Sequence, residues 1–366
     1  VTAAGPSIAP GSTIGILGGG QLGRMLAIAA AQLGYHCHIL APEADPPAAE
    51  VAATFTRADY SDAAAMEKFA RACAVVTYEF ENIPFDPVAA IAKIVPVRPG
   101  TEALRVTQDR LFEKQFCNAR GIATAPWRKV GSVADLEAAV DALGLPLVLK
   151  TCRMGYDGKG QVKVAKRADA AQAFAALQSD HLIAEGFVGF RRELSVVLAR
   201  GSDGRIVSWG PVHNIHRDHI LWRTYAPPHG LSEAQAAKAE AMAASLADGL
   251  DYVGVMAVEL FDLDGDLLVN EMAPRVHNSG HWTMDGAVTS QFEQHVRAIC
   301  GLPLGSGARL YDTVMENLIG AEAATWPALL AEPETKLHLY GKAEARPGRK
   351  MGHVNRLYPL GRGPQP

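Results

Sequence analysis

At 366 residues, with 48 % hydrophobic and 20 % charged side chains, the chain is too long for one ordinary core and has the composition of a soluble globular protein of two or three units. A formal net charge of −4 leaves no basic excess, which argues against nucleic acid as a partner, and no apolar run has the length to cross a bilayer. The five cysteines (Cys37, Cys73, Cys117, Cys152, Cys300) are scattered and never spaced C-x-x-C, which predicts free thiols in a reducing, cytoplasmic setting.

Residues 1–11 have neither a basic start nor an apolar centre and are expected to form a flexible tail, not a signal peptide. Thr13–Leu17 then reads as an apolar strand running into Gly18-Gly19-Gly20-Gln21-Leu22-Gly23 and a helix over 25–33. Strands over 35–40 and 74–78, with a helix over 61–72 before the second, predict a parallel sheet covered on both faces. This Rossmann-like unit is expected to span 12–106. A second unit, 107–189, opens with a helix over 107–119, has another helix behind Ser132 as N-cap, and continues as strand, glycine loop and returning strand. A helix over 168–177, a strand over 182–185 and a crossover at 186–189 complete it. The third unit, 190–366, is expected to be mixed α+β, giving an α/β chain with α+β lobes. Its strands fall over 194–199 and 206–209, a helix over 233–248, a hairpin turned by Asp264-Gly265, a helix over 290–299 and short strands near 337–340.

Three stretches carry chemistry. In the run 147–161 an apolar strand ends on Lys150, and Gly155, Gly158 and Gly160 follow with Lys159 among them. Glycines let successive N–H groups face one concavity and lysines add charge, so a polyphosphate is the natural guest; the alternative is an ordinary glycine-rich hairpin. In the hairpin, a two-residue turn at Asp264-Gly265 sets Glu259 opposite Asn270, and a loop one residue longer sets it opposite Glu271. Either register crowds oxygen ligands that repel unless a cation lies between them, and magnesium is the economical cation; solvated acids on an edge hairpin are the alternative. The polar run 270–281 reads as a site-forming loop, in which the planar fork of Arg275 suits a carboxylate or phosphate.

Other signals are more ambiguous. The G-x-G-x-x-G at 18–23 has the strand–turn–helix context of a dinucleotide site, yet no acid ends the second strand and Glu43 lies beyond Pro42. A phosphate monoester at the helix N-terminus and a plain tight turn both remain open there. His213, His216 and His219 stand three apart with no cysteine beside them, a poor zinc set. The run 342–353 is basic and broken by glycines, either a solvated tail or a loop that meets an anion.

Six ordered motifs, GGGQLGRM, TYEFENIP, QDR, GYDGKGQ, NEMAPRVHNSGH and HLYGKAEARPGRKMGH, resemble the ATP-grasp superfamily and, within it, the 5-(carboxyamino)imidazole ribonucleotide synthase family. Val276 stands where that family usually carries proline. The resemblance implies an ATP- and bicarbonate-dependent carbon–nitrogen ligase of purine biosynthesis that works through carboxyphosphate. It implies ATP contacts from Arg110, Lys150, the loop Gly155, Tyr156, Asp157, Gly158, Lys159, Gly160 and Gln161, then Glu185, Gly186, Phe187, Val188, Glu193 and His216, with Glu185 reading the adenine. Glu259 and Glu271, helped by Asn270, would bind magnesium. Gly20, Gln21, Leu22, Glu79, Tyr156, Asp157, Arg275, Lys342, Arg349 and Lys350 would line the site of the aminoimidazole ribonucleotide. Asp157, Lys159, Arg275 and Tyr156 would carry the catalytic roles, Asp157 as proton acceptor. A homodimer and a functional link to a downstream mutase are implied as well. The alternatives are another ATP-grasp ligase, such as a glycinamide ribonucleotide ligase or biotin carboxylase, a nicotinamide dehydrogenase, or a non-catalytic nucleotide-binding scaffold.

Overall fold

The computed structural model describes residues 7–155 and 158–366. Its first sheet contains β1 (Thr13–Leu17), β2 (His36–Ala41), β3 (Thr54–Arg57) and β4 (Val75–Tyr78), all parallel in the order β3-β2-β1-β4. Ile14, Ile16, Leu17, Val75, Val76 and Tyr78 are buried, as expected for strands covered on both faces. The helix after β1 spans Gln21–Gln32, four residues earlier than the apolar pattern predicts, because it begins directly on the glycine turn with Gly20 as N-cap. Its buried face (Leu22, Met25, Leu26, Ala29, Ala30) packs in the same apolar core as Phe292, Val296 and Ile299 of the helix Gln291–Ile299. The first and third units therefore share a core.

The helix predicted over 107–119 starts at Arg110 and ends at Ala119, and a separate helix the sequence reading missed, Thr101–Thr107, precedes it. Asp109 adopts an extended conformation between them, and its Oδ1 accepts from the Leu111 amide at 3.0 Å, restarting the helix as an N-cap. The second sheet is antiparallel: β5 (Trp127–Val130), β6 (Leu147–Thr151), β7 (Gln161–Val164) and β8 (Leu182–Gly186), ordered β5-β8-β6-β7. Helices Val133–Leu143 and Ala170–Leu177 cover one face and give it a core of its own, around Leu136, Leu147, Leu149 and Leu182. Ser132 caps the former by accepting from Asp135 N at 3.1 Å.

The third sheet has eight antiparallel strands: β9 (Arg192–Arg200), β10 (Ile206–Arg217), β11 (Ile220–Ala226), β12 (Gly254–Leu263), β13 (Asp266–Ala273), β14 (Asp312–Ile319), β15 (Thr335–Leu339) and β16 (Lys350–Tyr358). Their order is β13-β12-β9-β10-β11-β14-β16-β15. Strand β10 runs well past Trp209, where the sequence reading ended it. Pro211 lacks an N–H, and a register shift between Ser208 and Pro211 carries the ladder past it. The basic run is no free tail either: Lys350 to His353 lie within β16, paired with β14 on one side and β15 on the other. Among the described residues no helix is long and apolar enough to cross a membrane. The five cysteines are free.

Candidate active site

The β12–β13 hairpin reconciles the two registers left open by its sequence. Its turn is the two-residue one, Asp264 and Gly265 both at positive φ, with Leu263 opposite Asp266. A register shift between Glu259 and Leu260 makes Asn270 the extra residue and brings Glu259 opposite Glu271. Burial pushes the Glu259 carboxyl up to about 8, and the charge of Glu271 adds to that. Burial also acts to raise Glu271, but Arg110, whose Nη1 is 2.9 Å from Glu271 Oε2, holds it below the ordinary carboxylate range. Asn270 Oδ1 is buried with no hydrogen-bond partner among the described residues. Two opposed carboxylates and an unpartnered amide oxygen form an oxygen-only donor set that suits a hard divalent cation.

Beside this pair lies a group of cations, Lys114 buried and Arg110 and Lys150 half-buried. Val148 on β6 faces Glu185 on β8, so Lys150, two residues on, shares the face of Glu185. Lys150 Nζ donates to Glu185 Oε2 at 2.7 Å, and Lys114 Nζ stands 3.4 Å from Oε1. Burial favours the neutral form of Glu185, but Lys114 and Lys150 outweigh it and hold the carboxyl near 2. The carboxylate assigned to adenine by resemblance is thus engaged in fixing two lysines. Burial and the charges of Arg110 and Lys114 lower the pKa of Lys150 despite Glu185. Glu113, with Oε1 accepting from the Met272 amide, is raised to about 8, chiefly by burial. Arg110, Lys114 and Lys150 converge from one helix and one strand, and such clustering of fixed positive charge is what a polyphosphate requires.

The glycine turn of the first unit serves a different purpose from the phosphate seat left open above. The Glu79 carboxylate accepts from the Gly20 amide and, at 2.6 Å, from the Gly23 amide. Those are the helix's leading N–H groups, so an internal carboxylate already occupies its N-terminus. A Cβ on Gly20 would come within 2.7 Å of Glu79 Oε1, and one on Gly18 within 2.4 Å of Glu79 Cγ. The glycines are there for Glu79, and a dinucleotide pyrophosphate has no seat.

On the third sheet Glu193 Oε2 lies 2.6 Å from His216 Nδ1. Burial acts to lower the His216 pKa, but the Glu193 bond and charge raise it above the ordinary value. His213 pairs across from Tyr225 and His219 occupies the β10–β11 turn at φ 64°, so the three histidines do not converge. The Arg275 fork is held by Glu81, with Nη2 3.1 Å from Oε1. Lys342 Nζ donates to the Lys350 carbonyl at 2.7 Å, and burial, with Arg349 nearby, pushes its pKa down to about 8.

These groups meet in a cleft of about 1120 Å³ between the three sheets. Of the residues named from the sequence, Gly20, Gln21, Leu22, Glu79, Arg110, Lys150, Gly155, Gly158, Lys159, Gln161, Glu185, Gly186, Phe187, Val188, Glu193, His216, Glu259, Asn270, Glu271, Arg275 and Lys350 line it. Gly160, Lys342 and Arg349 are not among the lining residues, and Tyr156 and Asp157 lie outside the described residues. Sequence reasoning assigned no role to Lys114, Glu113, Glu81 or His277. It also missed Phe190 and Phe261, whose rings stack with centroids 4.7 Å apart. Asp109, Cys152 and His181 form the one cluster of three metal-type donors found among the described residues. Asp109 Oδ2 is 2.6 Å from His181 Nε2 and 3.1 Å from Arg153 Nε, hydrogen-bond distances that leave no room for a shared ion. Burial raises the Cys152 thiol to about 12. The cluster clasps the base of the glycine loop.

Residues 12–108 match the ribonucleotide synthetase preATP-grasp domain, 115–292 the ATP-grasp domain and 313–359 the phosphoribosylaminoimidazole carboxylase C-terminal domain. The chain is 52 % identical over 356 residues to the N5-carboxyaminoimidazole ribonucleotide synthase of Brucella melitensis, covering 96 % of this chain and 98 % of that one. The crystal structure of N5-carboxyaminoimidazole synthetase from Staphylococcus aureus complexed with ADP superimposes with a TM-score of 0.91 at 35 % identity, over 96 % of this chain and 94 % of that one. The Aspergillus clavatus synthase in complex with ADP and 5-aminoimidazole ribonucleotide gives 0.90 at 32 % identity, over 95 % and 94 %.

Proposed function

This chain belongs to the N5-carboxyaminoimidazole ribonucleotide synthase family of ATP-grasp ligases, and we propose that its cleft carboxylates the 5-amino group of 5-aminoimidazole ribonucleotide, with ATP cleaved to ADP and phosphate. The observation that carries this reading is the joining, in one cleft, of the half-buried cations Arg110 and Lys150, backed by the buried Lys114, to the opposed pair Glu259 and Glu271.

An oxygen of bicarbonate attacks the γ-phosphorus as the bond to the ADP oxygen breaks, giving carboxyphosphate. The 5-amino nitrogen then attacks the carboxyl carbon, phosphate leaves and the amine loses a proton. Lys150 and Arg110 would hold the phosphates, with Lys114 and Glu185 fixing Lys150 in place. The backbone at Phe187 and Val188 would read the adenine and Glu193 the ribose, with His216 beside the nucleotide. Glu259, Glu271 and Asn270 would hold magnesium. Magnesium, when bound, supplies positive charge against that spreading over the transferring phosphoryl group. Across the cleft, Glu79, Arg275 and Lys350 would line the ribonucleotide's site, with Lys342 and Arg349 reinforcing the charge around its phosphate. The loop 155–161, carrying Lys159, would close over carboxyphosphate, which water would otherwise destroy. Asp157 within it is the proposed proton acceptor. The chain would divide at 106 and 189 into its three units. The enzyme would act in the cytoplasm as a homodimer whose product goes to a mutase.

The test is a coupled ADP assay with bicarbonate and the aminoimidazole ribonucleotide added singly and together. ADP release that needs both is the expected result. Release indifferent to this ribonucleotide but stimulated by glycinamide acceptors or biotin would move the chain to another ATP-grasp activity.

A further inference from the structure

Behind the cleft wall a file of uncharged polar side chains crosses the third sheet where its strands are otherwise apolar. Thr224 on β11 lies opposite Asn214 on β10, and Ser195 on β9 lies opposite Glu259 on β12. Ser195, Thr224 and Ser279 are 0 % exposed and Asn214 3 %. Thr224 Oγ1 is 2.9 Å from Asn214 Oδ1, Asn214 Nδ2 is 2.9 Å from Ser195 Oγ, Ser195 Oγ is 2.7 Å from Ser279 Oγ, and Ser279 Oγ is 2.8 Å from His277 Nδ1. On its other side His277 Nε2 stands 3.3 Å from Glu259 Oε1.

Hydroxyl groups can point either way, so distances alone give the file no direction. One member is not free to choose. The Ser279 backbone N–H lies 3.3 Å from His277 Nδ1, and an amide N–H only donates. Nδ1 is therefore an acceptor, and the ring proton of neutral His277 belongs on Nε2. Ser279 Oγ–H must then also donate to Nδ1, which leaves its oxygen to accept from Ser195 Oγ–H. Ser195 in turn accepts from the Asn214 amide, whose oxygen accepts from Thr224. Each hydroxyl has one proton, so the backbone anchor orders the whole file.

We propose that Thr224, Asn214, Ser195 and Ser279 are positioning residues: a one-way hydrogen-bond chain that joins the Ser279 backbone N–H in holding His277 as the Nε2–H tautomer and presents that N–H to Glu259. The inference rests on Glu259 being a cation ligand, as proposed above. A donor beside the outer carboxylate oxygen orients it and leaves the other oxygen for the ion, the role that outer-sphere partners play at metal sites. The opposite tautomer would set a nitrogen lone pair against the carboxylate.

The first measurement needs no variant. In protein labelled with 15N-histidine, with the His277 signal identified by its loss in His277→Gln, the long-range 1H–15N pattern reports which ring nitrogen carries the proton. Protonated Nε2 is expected, and protonated Nδ1 overturns the proposal. Ser279→Ala leaves only the longer backbone N–H on Nδ1, and should then partly mix the tautomers and weaken Mn2+ binding to the ADP-loaded protein, read by electron paramagnetic resonance, by about tenfold. Ser195→Ala, one link further back, should do the same to a smaller degree. Unchanged tautomer and unchanged Mn2+ affinity in a folded Ser279→Ala protein also overturn it. These readouts do not involve the ribonucleotide, so failure of the carboxylation reading appears separately, as ADP release in the unmodified enzyme that ignores that substrate.

Discussion

Glu271 faces Glu259 across the hairpin and holds Arg110 at 2.9 Å, so a neutral isostere there removes charge from the cation set and a partner from Arg110 at once. Its side chain is 42 % exposed into the cleft, so Glu271→Gln should leave the fold intact, by circular dichroism, while turnover falls by about a hundredfold or more. Near-native ADP release from that variant would remove Glu271 from the site. Lys342 makes a pH prediction. Its pKa, held near 8 by burial against an ordinary 10.5, means the folded chain binds fewer protons than the unfolded one between those values. Burying the charge therefore costs stability below about pH 8, and that cost fades as pH rises toward 10.5. The same deprotonation should raise the KM for the ribonucleotide above about pH 8, and Lys342→Arg, which keeps its charge, should hold KM flat. An identical rise in both proteins would show that another group titrates. The paired carboxylates were legible to within one residue because hairpin register is arithmetic, but the bulge at Asn270 that sets Glu259 opposite Glu271 was not. Lys114 and Glu113 were not, since isolated charges on a helix look solvated until the fold brings Glu185 and Met272 against them from far along the chain.

Elements were readable where local chemistry marks them and obscure where long-range pairing does. Ser132 and Ser290 announce their helices, each hydroxyl accepting from the amide three residues on. Strands β11, β14 and β16 passed unnoticed. The turn between β10 and β11 has Asp218 and His219 at positive φ where glycine or asparagine is the usual signal, and the register of β14 and β16 comes only from their neighbours. The basic run looked like a tail because its glycines and charges hide a strand. Helix 233–249 offers a clean separation of stability from chemistry. Ser232 Oγ accepts from the Gln235 amide at 3.2 Å, and Gln235 Oε1 accepts from the Ser232 amide at 3.0 Å, a reciprocal cap on a helix that contributes no residue to the cleft lining. Ser232→Ala should lower unfolding free energy by about 1 kcal/mol in urea titrations with kcat and KM unchanged. A kinetic effect of that variant would mean that this helix is coupled to the site.

At the scale of the molecule the units are not equivalent. The first and third share one apolar core, whereas the second sheet and its two helices have their own, so the second is the unit free to move against the rest. Its glycine loop comes tight against the body at Gly158. Gly158 sits at φ 78°, and a Cβ built there would come within 2.6 Å of the His219 side chain at the β10–β11 turn. Gly158 and His219 both line the cleft, so a loop closing over it would be stopped by this contact. Gly158→Ala should hold the lid off its seat, by collision with His219 and by strain at positive φ. ADP would still form, but carboxyphosphate would be lost to water, so carboxylated product per ADP should fall well below one. His219→Gly in the same protein removes the collision and tolerates its own φ of 64°, leaving only the strain at residue 158. The double variant should recover part of the product-to-ADP ratio. A ratio that stays at one in Gly158→Ala would show that the loop protects the intermediate without touching the turn. A ratio that falls and does not recover in the double variant would assign the loss to backbone strain in the loop itself.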